Sequence, residues 1–336
     1  MRFGVFDHMD RGPVPLGQFY QSRLRLVEAY DRLGFHAYHV AEHHATPLGH
    51  APSPAIFLSA VAQRTSRLRF GPLVYLLPLY HPLRLIDEIC MLDQMSGGRF
   101  ELGVGRGISP IELALFGLDP GTAPAMYAEA LQVVLAGLQQ QVLSFAGTHY
   151  SYRDVPMELA PVQRPHPPLW YGIGRVDAVP WAVAHRVNIV SNLPAAGLRP
   201  ITDAYRAEWE RAQVGQAMPM MGTVRHVVVA ETQAEADRIA AHGYKRWRDS
   251  FLHLWLKHGT QLPSPAALPS PTFAEAEASG RAIAGTPDKV ADFIRRTVAE
   301  SGINYMLCRF AFGDIAEEAA AQSAHFFARD VMPNFV

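Results

Sequence analysis

From its first residues to its last, the chain alternates between short apolar or β-branched runs and longer runs with helical spacing. RFGVF reads as a strand, and the amphipathic segment over 16–33 after it ends at Gly34, a good helix C-cap. HAYHVAE, RLRFGPLVYLL, RFELGVG, LWYGIG, NIVSN, TVRHVVVAE and INYMLCRFAFG supply seven further strands. Helices are expected from Ser53, an N-cap before a first-turn proline, and over 83–95, 124–140, 178–185, 201–212 and 232–257. TPDKVADFIRRTVAESG and the segment 316–329 complete the series. Eight such alternations predict an α/β fold, a (β/α)8 TIM barrel with insertions, in one domain over 1–336. A doubly wound open sheet would place GxGxxG after its first strand, and RFGVFDHMDRG has none. The expected insertions are an irregular stretch at 109–121, a hairpin in FAGTHYSYRDVPMELAPV, and a mobile loop at 258–275 around PSPAALPSP, placed at the barrel mouth as a lid.

A formal net charge of -1 over 336 residues gives no long-range field for nucleic acid or an anionic membrane, so neither is expected as a partner. MRFGVFDHMD is too polar for a secretory signal, and the apolar run LVYLLPLY, broken by Pro78, is too short to cross a bilayer. Cys90 and Cys308 lie outside any CxxC spacing and read as core thiols in a reducing compartment. A cytoplasmic location is expected.

In a barrel of this kind the site lies where strands end and loops begin. That nominates Asp7, His8, Glu42, His43, His44, Tyr75, Arg106, Arg175, Ser191 and Asn192. In AEHH, adjacent residues of an extended chain point to opposite sides, so His43 and His44 are poorly placed to grip one metal ion, and HExxH is absent. Glu42 shares a side with His44, and an imidazole at the mouth can act as acid or base near neutrality. A polar strand end with no chemistry stays equally open. In GVGRG, the glycines 103, 105 and 107 let a flat ligand or a phosphate approach the backbone, and Arg106 can bond an anion. Small residues filling a tight barrel layer explain the same string. YGIGR offers Gly172, Gly174 and Arg175 for the same phosphate, or a solvated loop arginine.

Taken in order along the chain, RFGVF, AEHH, LDQMSGGRFELGVGRG, GTPDKVADFI and DVMPNF resemble the bacterial luciferase-like flavin-dependent monooxygenases, most of all the luciferase α-subunit branch. The resemblance implies the same barrel, a catalytic histidine at His43 with His44 and Glu42 beside it, and a flavin-phosphate contact at Arg106 with Gly105. It implies that GPLVYLLP backs the isoalloxazine ring with Leu73, Val74 and Tyr75, through a non-proline cis peptide at Leu73-Val74. Relatives offer hydroxyls to the phosphate after strand five, where GIGRVDAVPW has none, so either Arg175 substitutes or the cofactor binds more weakly; Gly174 and Arg175 stand as the cofactor-binding candidates there. The implied activity uses reduced FMN and O2, through a flavin C4a-hydroperoxide, to oxygenate a small organic molecule. An NAD(P)H:flavin reductase would deliver the reduced flavin, to a homodimer built through the second and third helices. An F420-dependent oxidoreductase and a non-catalytic flavin-binding partner subunit are the alternatives. The substrate pocket is expected beside His8, Tyr75 and Phe310.

Overall fold

The computed structural model describes residues 1–336 apart from 213, 214, 216, 263–266 and 336. Its first half runs β1 (Arg2–Asp7), α1 (Leu16–Leu33), β2 (Ala37–Val40), α2 (Pro54–Arg64), β3 (Arg69–Pro72), β4 (Tyr75–Leu76), α3 (Pro82–Met95) and β5 (Leu102–Gly105). Next come α4 (Pro110–Leu115), α5 (Ala123–Gln139) and an antiparallel hairpin of β6 (Val142–Ala146) and β7 (Ser151–Pro156). The second half runs β8 (Leu169–Gly172), α6 (Val179–Ala184), β9 (Asn188–Ser191), α7 (Ala195–Ala212), β10 (Met221–Val229) and α8 (Gln233–Lys257). It closes with α9 (Phe273–Ala278), β11 (Ala282–Gly285), α10 (Pro287–Ser301), β12 (Tyr305–Arg309) and α11 (Glu317–Phe326).

The parallel sheet is ordered β3-β2-β1-β12-β10-β9-β8-β5-β4, with β11 added on β10. β3 and β4 form one strand position interrupted at Leu73-Val74, so the order curls back on itself. A bridge from Phe70 to Phe100 and the pairing of Tyr75 with Val104 join that position to β5. The result is a nearly closed TIM-like barrel of eight strand positions, as the alternation predicts.

Side-chain alternation sorts the strands into two layers. Phe6, Leu73, Trp170, Val224, Tyr305 and Leu307 form an interior cluster. Phe3, Val5, Tyr38, Val40, Phe70, Val104 and Cys308 belong to the larger layer between strands and helices. α1 ends as expected, with Gly34 in the left-handed region at φ 82°. Ser53 stands at the N-cap of α2, yet its hydroxyl accepts no amide there.

Three expectations need correction. The stretch at 109–121 is not wholly irregular, because SPIEL forms α4: the Ser109 hydroxyl accepts the Glu112 amide at 3.2 Å. α7 begins six residues earlier than expected and carries Pro200 within it. AIAG, which falls in none of the expected elements, is the buried strand β11, paired with β10 from His226 to Val229. Of the proline-rich lid segment, residues 263–266 lie outside the described residues, while Leu262 before them packs with Ile111, Leu254 and Trp255. Cys90 and Cys308 are free and buried. Among the described residues no helix is long and apolar enough to cross a membrane.

The N-terminal end of the barrel interior is closed by a polar network around Glu101. Its buried carboxylate accepts Arg69 Nε–H and Trp170 Nε1–H, each at 2.6 Å, and lies 3.4 Å from His39 Nε2. Burial alone would raise the Glu101 pKa, but the bond to His39 and the charges of His39, Arg69 and His36 outweigh it and hold the group at about 2. A folded-state value below the ordinary 4.5 means that the stabilisation is complete above about pH 4.5 and fades as pH falls toward 2. Glu101→Gln is therefore expected to cost ~3 kcal/mol of unfolding free energy at pH 7. Urea melts of both proteins at pH 7 and pH 3 should show that gap narrowing at the lower pH.

Candidate active site

The C-terminal ends of β1, β2, β4, β5, β10 and β12 gather the chemically capable side chains. β2 ends at Val40, and the chain then presents Glu42, His43 and His44 in sequence. Glu42 is buried, and its carboxylate accepts the Leu76 amide at 3.0 Å and the Tyr80 hydroxyl at 3.0 Å. Its other oxygen lies 2.9 Å from His44 Nε2, so Glu42 and His44 do share a side, as the alternation requires. Glu42 thus ties the end of β2 to β4.

A second carboxylate holds the other imidazole. Glu112, buried on α4, lies 3.3 Å from His43 Nδ1 and accepts the His44 amide at 2.7 Å. Burial raises the Glu112 pKa, but the bond to His43, its charge and the His44 amide outweigh that and keep the group below the usual carboxylate range. An ionised carboxylate only accepts, so Nδ1 of His43 carries the proton and Nε2 is left for a ligand.

His8, at the end of β1, lies with its ring 5.8 Å from that of His43. The Trp247 indole N–H, carried in by α8, donates to His8 Nδ1 at 3.1 Å, which places the His8 proton on Nε2. Burial, then the charges of Arg309, His43 and His226, lowers the His8 pKa well below the usual value.

Glycines shape the floor. A Cβ on Gly105 would stand 2.3 Å from Val74 Cγ2, and one on Gly103 would stand 2.1 Å from the Pro72 carbonyl. The Leu73-Val74 peptide is cis, and both residues pack with the interior cluster. Arg106 follows Gly105 and is exposed, with no hydrogen bond or ion pair to any described residue. Arg175 is exposed too, but its guanidinium is engaged by Asp177 at 2.6 Å. Gly172 and Gly174 have open space where a Cβ would go. Ser191 is buried, its hydroxyl accepting the Leu193 amide at 3.3 Å, while Asn192 is exposed.

Two expected residues turn away from the mouth. The Tyr75 side chain is fully buried in the strand–helix layer, its ring 5.2 Å from that of Tyr80, so Tyr75 offers the mouth only backbone. Phe310 packs outward against Phe35 and Phe327 and lines no pocket beside His8. Sequence reading missed Glu112, Tyr80, Trp247, His226 and Arg309. The S-x-x-E signature of SPIEL marks the helix carrying Glu112, though nothing local says that it meets His43. Asp7 is committed elsewhere, pairing with Arg23 at 3.2 Å. Among the described residues no group of three or more His, Cys, Asp or Glu is placed to hold a metal ion. Cavities of about 410 and 540 Å³ open on the opposite side of the molecule, the first lined by Arg2, His36, Arg69 and Glu101.

Set against known proteins, residues 1–305 match the family model described as luciferase-like monooxygenase. An uncharacterized protein of Sinorhizobium fredii, y4wF, is 42% identical over 333 residues, covering 99% of this chain and 96% of its own. The 4-hydroxyprotoasukamycin monooxygenase of Streptomyces nodosus subsp. asukaensis is 28% identical over 336 residues, covering 93% of this chain and 86% of its own. The crystal structure of monooxygenase RslO1 from Streptomyces bottropensis superposes with a TM-score of 0.90 at 25% identity, over all of both chains.

The His43–Glu112 contact yields a measurement of its own. Charge-assisted bonds of this type contribute roughly 1.5–3 kcal/mol. A double-mutant cycle of Glu112→Ala and His43→Ala, followed by urea unfolding at pH 6, is expected to give a coupling near 1 kcal/mol. A coupling of zero would make the two side chains neighbours without interaction.

Proposed function

The chain belongs to the luciferase-like monooxygenase family, and on that premise we propose that it is an FMN-dependent monooxygenase. In this reading it takes reduced FMN and O2 and oxygenates a small organic substrate, with reduced flavin supplied by a separate NAD(P)H:flavin reductase. The observation that carries the reading is the pairing of a proton-transfer group with an anion anchor at one barrel mouth. His43 is fixed by Glu112 with Nε2 free, and Arg106 stands unpaired after a glycine strand.

The residues present fit the cofactor. Arg106 would hold the phosphate, with Gly105 and the open backbone at Gly172 and Gly174 leaving room for it. Arg175 contributes less than Arg106, because Asp177 already engages it. Leu73 and Val74, on the apolar interior side, would back the ring system. Reduced FMN, when bound, supplies the electrons that activate O2. The chain's own part is to position, to exclude water and to move a proton. His43 Nε2 gives or takes that proton, while Glu112 holds the ring in place. Glu42 fixes His44 and, through the Leu76 amide and Tyr80, the backbone beneath it. His8 is held neutral by burial and lines the mouth as a polar wall.

A homodimer through α2 and α3, in the cytoplasm, belongs to the same proposal. Ile56, Met91 and Met95 are exposed on those helices, whose opposite faces bury Phe57, Val61, Ile86 and Ile89.

Anaerobic titration with reduced FMN and, in parallel, reduced F420, followed by mixing with O2, tests the reading. Binding of FMN in preference to F420, with a transient absorbance outlasting that of free reduced FMN in O2, is the expected result. Arg106→Ala should weaken FMN binding by roughly 10- to 100-fold. His43→Ala should leave that affinity within about twofold and lower turnover by ~100-fold or more. Binding of F420 alone would assign hydride transfer instead, and binding of neither would assign a partner-subunit role.

A further inference from the structure

Arg309 is the last residue of β12, on the interior-facing side with Tyr305 and Leu307. It is more than nine-tenths buried, and its Nε is sealed from water without a partner. None of its nitrogens makes a hydrogen bond or an ion pair with a described residue. Two ring faces lie against it: the guanidinium carbon is 4.9 Å from the Phe6 centroid and 5.6 Å from that of Trp247. Such cation–π contacts fall well short of the desolvation cost of a guanidinium. Buried cations in folded proteins are paired, so an unpaired one with five N–H donors calls for an explanation.

The surroundings narrow what would complete it. His226, paired with Arg309 in the strand register, lies with its ring 4.3 Å from that of Trp247. Burial, then the charge of Arg309, pushes the His226 pKa well below the usual value, and His8 is lowered in the same way. Asp10 contributes a field but no contact, and burial raises its own carboxyl to about 8. Burial draws the Arg309 pKa down to about 9, so the group is still a cation at neutral pH. The charge of Arg225 adds to that of Arg309, so the local balance is positive, among neutral imidazoles and aromatic faces.

In the barrel order, β12 stands across from β5, the strand that leads to Arg106. One mouth therefore carries two unpaired guanidiniums on opposite sides, with His43, just past the end of β2, between them. A single mononucleotide phosphate would occupy one.

We propose that Arg309 is a specificity residue that binds an anionic oxygen group of the organic substrate, a carboxylate by preference, on an aromatic body seated against Phe6 and Trp247. This rests on the mouth being the active site, as proposed above. The planar fork suits a two-oxygen acceptor, and the rings on either side keep water from competing for it.

Isothermal titration calorimetry of the protein, with and without FMN, compares 2-naphthoate with 2-naphthamide, which have the same shape and differ in charge. The naphthoate is expected to bind at least tenfold more tightly. Arg309→Gln should abolish that preference while leaving the FMN dissociation constant within about twofold, and Arg309→Lys should keep part of it. Arg309→Lys also serves where the Gln variant does not fold. Equal affinity of the two probes in the unsubstituted protein overturns the proposal, as does a preference that survives Arg309→Gln. Weakened FMN binding in Arg309→Gln with the preference intact also overturns it, and makes Arg309 a flavin contact. If the protein binds no flavin yet shows an Arg309-dependent preference for naphthoate, the anion site stands and the monooxygenase reading fails.

Discussion

The close approach of β5 to the interrupted strand β3–β4 is the constraint on which the rest of the molecule depends. A Cβ on Gly71 would lie 1.9 Å from the Glu101 carbonyl, one on Gly103 would lie 2.1 Å from the Pro72 carbonyl, and one on Gly105 would lie 2.3 Å from Val74. None of these distances admits a side chain, and two of the three obstacles are backbone, which cannot step aside. Glycine at all three positions lets the barrel close there and sets Leu73 and Val74 against the interior. Arg106, one residue beyond the last of them, is thereby placed over the same floor. Barrel closure and site construction are one packing event.

The alternation of strands and helices was readable because each strand is short, apolar and bounded by turn residues. β11 escaped because AIAG has no β-branched or aromatic residue apart from Ile283, and lies between a proline-rich stretch and a strong helix start. α4 escaped because it is only six residues long, although SPIEL carries its own cap. Both are cases in which tertiary packing stabilises an element whose local signal is weak.

Site residues divide by the kind of information needed to find them. Glu42, His43, His44 and Arg106 sit at strand ends and were legible as such. Glu112 and Trp247 reach the mouth from helices 69 and 239 positions away from the imidazoles they touch, and no local pattern encodes that meeting. Tyr75 and Arg309 are a different lesson, since parity alone decides them. Leu73 and Val74 both contact the interior cluster, so the alternation slips by one and Tyr75 faces out. In YMLCRF no slip occurs, and Tyr305, Leu307 and Arg309 face in while Phe310 faces out. Following the period of two through that strand would have exchanged Phe310 for Arg309.

The two ends of the barrel are charged to opposite purposes. At the N-terminal end Arg69 is matched by Glu101, which also satisfies Trp170 and faces His39, so the charges of that layer are paired within it, although His36, His39 and Tyr305 keep buried polar atoms without a hydrogen-bond partner. At the C-terminal end each imidazole of the EHH run has its carboxylate, yet Arg106 and Arg309 have none. A chain of net charge -1 has acids enough to pair both. Leaving the buried one, Arg309, unmatched costs stability there, whereas the exposed Arg106 is solvated. An arginine paired at one end of the barrel and arginines left unpaired at the other support the reading that anions arrive at the C-terminal end.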